Sequence, residues 1–110
     1  MTDKIVVLST CASPEEAEKV ARTLVEKRLA ACVNILPAVR SIYRWKGAIE
    51  DDQETLLLIK SSRALFGELR AEIQKLHSYE IPEAIAIPIV DGLERYLEWM
   101  ADALRTERDS

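Results

Sequence analysis

The sequence predicts an α+β fold built on an antiparallel sheet, and three observations predict it. Apolar runs of strand character alternate with stretches whose apolar residues recur every three or four positions, in the order β-α-β-β-α-β-α. The two middle strands are contiguous and long, folding back on each other around Lys46-Gly47-Ala48 within the stretch from Ala31 to Lys60. The helices that separate the other strands return as right-handed crossovers, which places both on one face of the sheet. Together these give a ferredoxin-like arrangement, the split β-α-β, with an additional C-terminal helix and an unusually long β2-β3 hairpin.

Each element has its own signal. Lys4 to Thr10 is apolar without alternation, the pattern of a central strand buried on both faces. Ser13-Pro14-Glu15-Glu16 then combines an N-cap serine, a proline at the first helical position and a glutamate spaced for a capping box. In the helix that follows, Ala17, Val20, Ala21, Leu24 and Val25 share one face, and Lys27 and Arg28 fall in the last turn, where they complement the helix dipole.

On the first hairpin arm Val33, Ile35, Val39, Tyr43 and Trp45 share odd parity. Pro37 has no N–H to give, so a bulge or edge position is expected there, bending the arm and able to switch its facing. The second arm is acidic at its start, Glu50 to Glu54, and apolar at its end, Leu56 to Ile59. Ser61 or Ser62 can cap a second helix striped by Leu65, Phe66, Leu69, Ile73 and Leu76, ending near His77. Residues 84 to 90 read as a last strand, placed at an edge by Pro88. Asp91 and Glu94 have capping-box spacing, and Leu93, Tyr96, Leu97, Met100 and Leu104 give the third helix its apolar face.

A chain of 110 residues, 48% hydrophobic and 31% charged, is expected to form one domain over 1–110, with 105–110 a frayed tail. Its net charge of −4, without a basic patch, argues against nucleic acid. No segment approaches the about 20 apolar residues of a membrane span, and Ile5 to Leu8 is too short for a signal sequence, so a soluble cytoplasmic protein is expected. Cys11 and Cys32 lack C-x-x-C spacing and are expected to stay reduced, Cys32 as a small buried hydrophobe and Cys11, beside a helix start, as the more reactive.

Two crossover helices cover only one sheet face, yet Leu56 to Ile59 and Val6 to Leu8 are apolar on both. The outer hairpin, with Ile42, Tyr43 and Trp45, lies beyond every helix. A homo-oligomer clasped by the hairpin is therefore expected.

Few residues carry chemistry. His77, the sole histidine, reads on its own as closing a helix C-terminus, and a metal site would need carboxylates, sulfur or other subunits beside it. Tyr43, Trp45, Tyr79, Tyr96 and Trp99 are core and interface fillers, or they wall a cleft at a subunit boundary with Lys60, Glu54 and His77. There is no G-x-S-x-G, no phosphate-cradling glycine loop and no identifiable triad, so no enzyme is expected.

At this point particular residues become familiar. The sequence resembles the CutA family of divalent-cation tolerance proteins through Val25 to Ile35, Pro37, Ser41 to Gly47, Ile59-Lys60, the His77-Ser78-Tyr79-Glu80-Ile81-Pro82-Glu83 loop, Pro88-Ile89, Gly92 and Tyr96 to Trp99. That resemblance implies a homotrimer of the kind formed by PII signalling proteins, and tolerance to copper and other divalent cations. It makes His77 a ligand for Cu(II) or another divalent cation, with Glu83 in the same loop the next candidate. Where some members place a cysteine implicated in metal binding this chain has Ser9, a poor copper ligand. Cys11, two residues on and directed to the same side, is the expected substitute. The alternative is a PII-like regulatory or scaffolding trimer that takes a small ligand or protein partner at inter-subunit clefts.

Overall fold

The chain, described here from residue 2 to 106 of a computed structural model, follows the expected order. Strand β1 (Lys4–Cys11) leads to helix α1 (Pro14–Glu26), and β2 (Cys32–Trp45) and β3 (Ala48–Ser62) form the hairpin. Helix α2 (Phe66–Leu76) follows a 3-10 turn at Arg63–Leu65; β4 (Ile85–Pro88) and α3 (Glu94–Ala103) complete the fold. All sheet pairings are antiparallel, in the order β2-β3-β1-β4, the ferredoxin-like order. None of the described helices is long and apolar enough to cross a membrane.

The core lies on the face that α1 and α2 cover. Ile5 and Val7 of β1, Leu57 and Ile59 of β3, Val20 and Leu24 of α1, and Leu69 and Ile73 of α2 are all buried there. Each fully buried Leu or Ile contributes about 1.5–3 kcal/mol of transfer free energy, so this layer dominates the stabilisation. Helix α3 adds Met100 and Leu104 to the same core. Val25, placed on the inward face of α1 by periodicity, is 43% exposed.

Register explains the hairpin. Leu36 pairs with Leu56 and Val39 with Glu54, so Pro37 and Ala38 together oppose Thr55. This is a β-bulge, with Ala38 at a positive φ of 61°. Alternation shifts by one residue across it. Val33 and Ile35 share the face of their core partners Ile59 and Leu57, whereas Tyr43 and Trp45 lie on the opposite face with Glu54. The five odd-numbered apolar residues of this arm thus divide between two faces. Lys46 and Gly47, with φ of 48° and 82°, close the hairpin as a two-residue turn whose twist matches the strands.

That second face is left open within one chain. Val6 and Leu8 of β1, Leu56 and Leu58 of β3, and Ile85 and Ile87 of β4 lie on it. Ile85 and Ile87 remain 53% and 46% exposed, so neither helix nor loop covers them.

Several termini differ from the expected pattern. Ser13 Oγ accepts from the Glu16 N–H at 3.2 Å, as an N-cap should, but the Glu16 carboxylate turns to the His77 loop instead of closing the box. Helix α1 ends at Glu26, before Lys27 and Arg28, because Arg28 takes a φ of 58°. Its guanidinium donates to the carbonyl oxygens of Asp102 and Ala103, so it complements the C-terminus of α3 rather than of its own helix.

Neither Ser61 nor Ser62 caps α2: Ser61 Oγ donates to the Leu29 carbonyl at 2.6 Å, and the chain enters the helix through the 3-10 turn. Asp91 accepts from the adjacent Gly92 N–H, leaving Leu93 as the N-cap of α3 without a side-chain bond. The last strand is four residues, shorter than 84 to 90, although Ile89 beyond it still donates its N–H to the Lys4 carbonyl and accepts from the Thr2 N–H. Of the expected tail, Arg105 is tied by its N–H to the Arg28 carbonyl and by its guanidinium to Glu68, and 107–110 lie outside the described residues.

Candidate functional site

Three elements converge at one end of the sheet. Cys11 closes β1, Glu16 stands in the first turn of α1, and His77 is the C-cap of α2. One ligand atom from each lies within 4.8 Å of the others. The His77 side chain is completely buried, and its Nε2 is 2.6 Å from the Thr10 carbonyl oxygen. A carbonyl can only accept, so this contact assigns the ring proton to Nε2. Nδ1 then accepts from the Tyr79 N–H at 3.1 Å.

That tautomer leaves an unusual pairing. Nδ1 also lies 3.3 Å from Glu16 Oε1, and the Cys11 thiol closes the third side. Ser78 N–H also donates to Glu16 Oε1 at 3.3 Å, and the rings of His77 and Tyr79 stack with centroids 4.6 Å apart. The loop after α2 is therefore fastened to both β1 and α1.

Cys11 is not the reactive thiol expected from its place near a helix start. It is wholly buried, and its pKa is pushed up to about 12, first by burial and then by the negative charges of Glu16 and Glu54. Cys32, expected to be buried, is half-exposed. Ser9 lies on the same face of β1 as Cys11, fully buried, and its hydroxyl has no partner.

Glu83 does not join this cluster. It lines a cleft of about 540 Å³ between the outer hairpin and the His77 loop, together with Tyr43, Trp45, Glu54 and Tyr79. Glu54 is buried, and its Oε2 accepts from the Tyr79 hydroxyl at 2.6 Å. The Tyr43 hydroxyl donates to Asp52 at 2.6 Å, which pushes the Tyr43 pKa up to about 12. Burial, reinforced by the charge of Glu54, raises the pKa of Glu83, and burial with the Glu54 hydrogen bond raises that of Tyr79.

Lys60, Tyr96 and Trp99, grouped with these by sequence, lie elsewhere. Lys60 Nζ sits 3.3 Å from the Tyr96 hydroxyl and 5.6 Å from its ring centre, and Tyr96 stacks on Trp99 at 5.5 Å. Glu16 was missed as a site residue because its local context read as helix capping. No local signal ties it to His77, which meets it only through the tertiary fold.

Known proteins agree with this architecture. Residues 5–103 match the family model for the CutA1 divalent ion tolerance protein. The "Divalent-cation tolerance protein CutA" of Thermus thermophilus is 48% identical over 97 residues, 88% of this chain and 94% of that protein. The chloroplastic "Protein CutA" of Arabidopsis thaliana is 42% identical over 92% of this chain, which spans only 56% of its length. The crystal structure of CutA from Xylella fastidiosa superposes with a TM-score of 0.92 at 41% identity, over 94% of this chain and 100% of that one. The chain belongs to the CutA1 divalent ion tolerance family.

Proposed function

We propose that this protein is a non-enzymatic homotrimer of the cytoplasm that contributes to divalent-cation tolerance by binding Cu(II) or a similar cation at Cys11, Glu16 and His77. The observation that carries the reading is the convergence of imidazole, carboxylate and thiol within 4.8 Å. The donor set fits: nitrogen and sulfur with one carboxylate suit Cu(II) or Zn(II) better than Mg²⁺ or Ca²⁺. His77 Nδ1 and Glu16 Oε1, 3.3 Å apart, are also close enough for one cation to contact both. Glu83 stands apart and is left to the cleft.

Binding requires Cys11 to release its proton, so a thiol raised to about 12 makes uptake steeply pH-dependent. The trimer is supported by the open apolar face and by exposed Ile42 on the outer hairpin. Calorimetric titration with Cu(II) should show one saturable site per chain that is lost in both His77→Ala and Cys11→Ser. Unchanged affinity in both variants would remove the cluster as the site. Sedimentation of the apo protein at micromolar concentration should give a trimer, and a stable monomer would refute that part. A second reading, a PII-like regulatory trimer that takes a small ligand, is favoured by the cleft.

A further inference from the structure

Beyond the metal cluster, and deepening the second reading, we propose that the cleft between the outer hairpin and the His77 loop binds a small organic cation of the alkylammonium class. The space is of ligand size: about 540 Å³, inside the roughly 300–1,000 Å³ of small-molecule sites. Its walls are aromatic, Tyr43 and Trp45 from the hairpin and Tyr79 from the loop. The charged groups that line it are carboxylates: Glu54 buried within, Glu83 half-buried on the loop, and Glu80. Among the described residues that line it none is basic.

The charge is uncompensated from within. Glu54 is only 8% exposed, and its one recorded partner is the neutral Tyr79 hydroxyl, which donates a hydrogen bond without supplying a positive charge. Glu83, beside it, is already driven towards its neutral form by burial and by Glu54. A positive ligand would relieve both carboxylates, whereas an anionic ligand would add like charge beside Glu54 in a partly desolvated space.

The aromatic walls narrow the class. Ring faces attract ammonium groups but offer no ligand atom to a metal ion, and these carboxylates do not converge on one point as Cys11, Glu16 and His77 do. The chain itself supplies an example at the cleft's margin. Lys46 Nζ lies 5.5 Å from the Trp45 ring centre and 3.7 Å from Glu80 Oε2, an alkylammonium held between an aromatic face and a carboxylate. A free amine would repeat this contact further in, where Glu54 is sheltered from water.

The test is calorimetry on the intact protein at neutral pH and low salt, with a chelator present so that no metal takes part. Putrescine is the probe; its diol analogue and succinate are matched neutral and anionic controls. Fluorescence in a Trp99→Phe background leaves Trp45 as the only indole reporter. Saturable putrescine binding that perturbs Trp45, absent for the diol and succinate, is expected. Glu83→Gln and Glu54→Gln should each weaken it by roughly tenfold or more, the scale of losing one sheltered charge partner. Glu54→Gln can still accept from Tyr79, and circular dichroism would confirm that both variants fold.

Cys11→Ser, which leaves the cleft lining and the His77 contacts in place, should retain putrescine binding while losing copper, so failure of either reading is visible apart from the other. Equal binding of the diol, unchanged affinity in both glutamine variants, or no heat at millimolar putrescine would overturn the proposal. The last result is also what a cleft filled by a neighbouring copy would give.

Discussion

His77 Nε2 and the Thr10 carbonyl oxygen, 2.6 Å apart, join the loop after α2 to the end of β1 across 67 positions of sequence. This one contact fixes the tautomer and leaves Nδ1 as the acceptor of the Tyr79 N–H, 3.3 Å from Glu16 Oε1. His77→Ala would leave the Thr10 carbonyl and the Tyr79 N–H without their partner. Leaving buried polar groups unpaired costs about 1–3 kcal/mol, so urea denaturation at fixed protein concentration should show a loss of that order even without metal.

The cleft predicts a pH dependence. Glu83 has a folded pKa above its ordinary value of 4.5, so the folded state binds more protons than the unfolded state as pH rises past that value. Its contribution to stability therefore falls from the ordinary value upward through the raised one. Glu83→Gln should melt higher than the parent at neutral pH, and the two should coincide well below 4.5. A variant that melts lower at neutral pH would contradict this.

Neighbouring leucines on β3 should fail in different ways. Leu57 is completely buried against α1 and α2, and Leu57→Ala should destabilise by about 2–5 kcal/mol, the cost of a core cavity. Leu58 points to the open face. Leu58→Glu should keep the secondary structure, seen by circular dichroism, while sedimentation shifts towards the monomer.

Cys11 should resist labelling. Its thiol is buried and its pKa lies far above neutrality, so iodoacetamide should leave it unmodified in the native protein and modify it fully in denaturant. Mass spectrometry of the peptide containing Cys11 reads both states.

Arg28 separates backbone from side chain. Arg28→Ala removes the bonds to Asp102 and Ala103 and keeps the positive φ, and should cost about 1 kcal/mol. Arg28→Gly loses the same bonds but relaxes the left-handed backbone, so chemical denaturation should show a smaller loss.

Signals that act within one turn or one strand were legible in advance. Ser13 and Pro14 start α1 where expected, Pro37 marks the bulge, and Pro88 lies in an edge strand. Signals that compete with tertiary partners were not. Ser61 has the chemistry of a cap but spends its hydroxyl on the Leu29 carbonyl, and Glu16 has the spacing of a capping box but turns to His77. The candidate site divides in the same way. His77 and Cys11 were separately visible as rare residue types, whereas their meeting with Glu16, and the separation of Lys60 from Glu54, depend on which face each strand presents. That depends in turn on the bulge, whose position and power to switch the arm's facing were legible at Pro37, whereas the residues that Tyr43 and Trp45 would then meet were not.

The single extra residue at Pro37-Ala38 acts as a change of reading frame for side-chain direction. In an unbroken register Val39 would oppose Gln53 instead of Glu54. Arg40 and Arg44 would then turn to the side where Tyr43 and Trp45 now stand, and the cleft would gain two guanidinium groups while losing two of its rings. One residue of backbone length thus decides whether this surface carries guanidinium groups or aromatic rings.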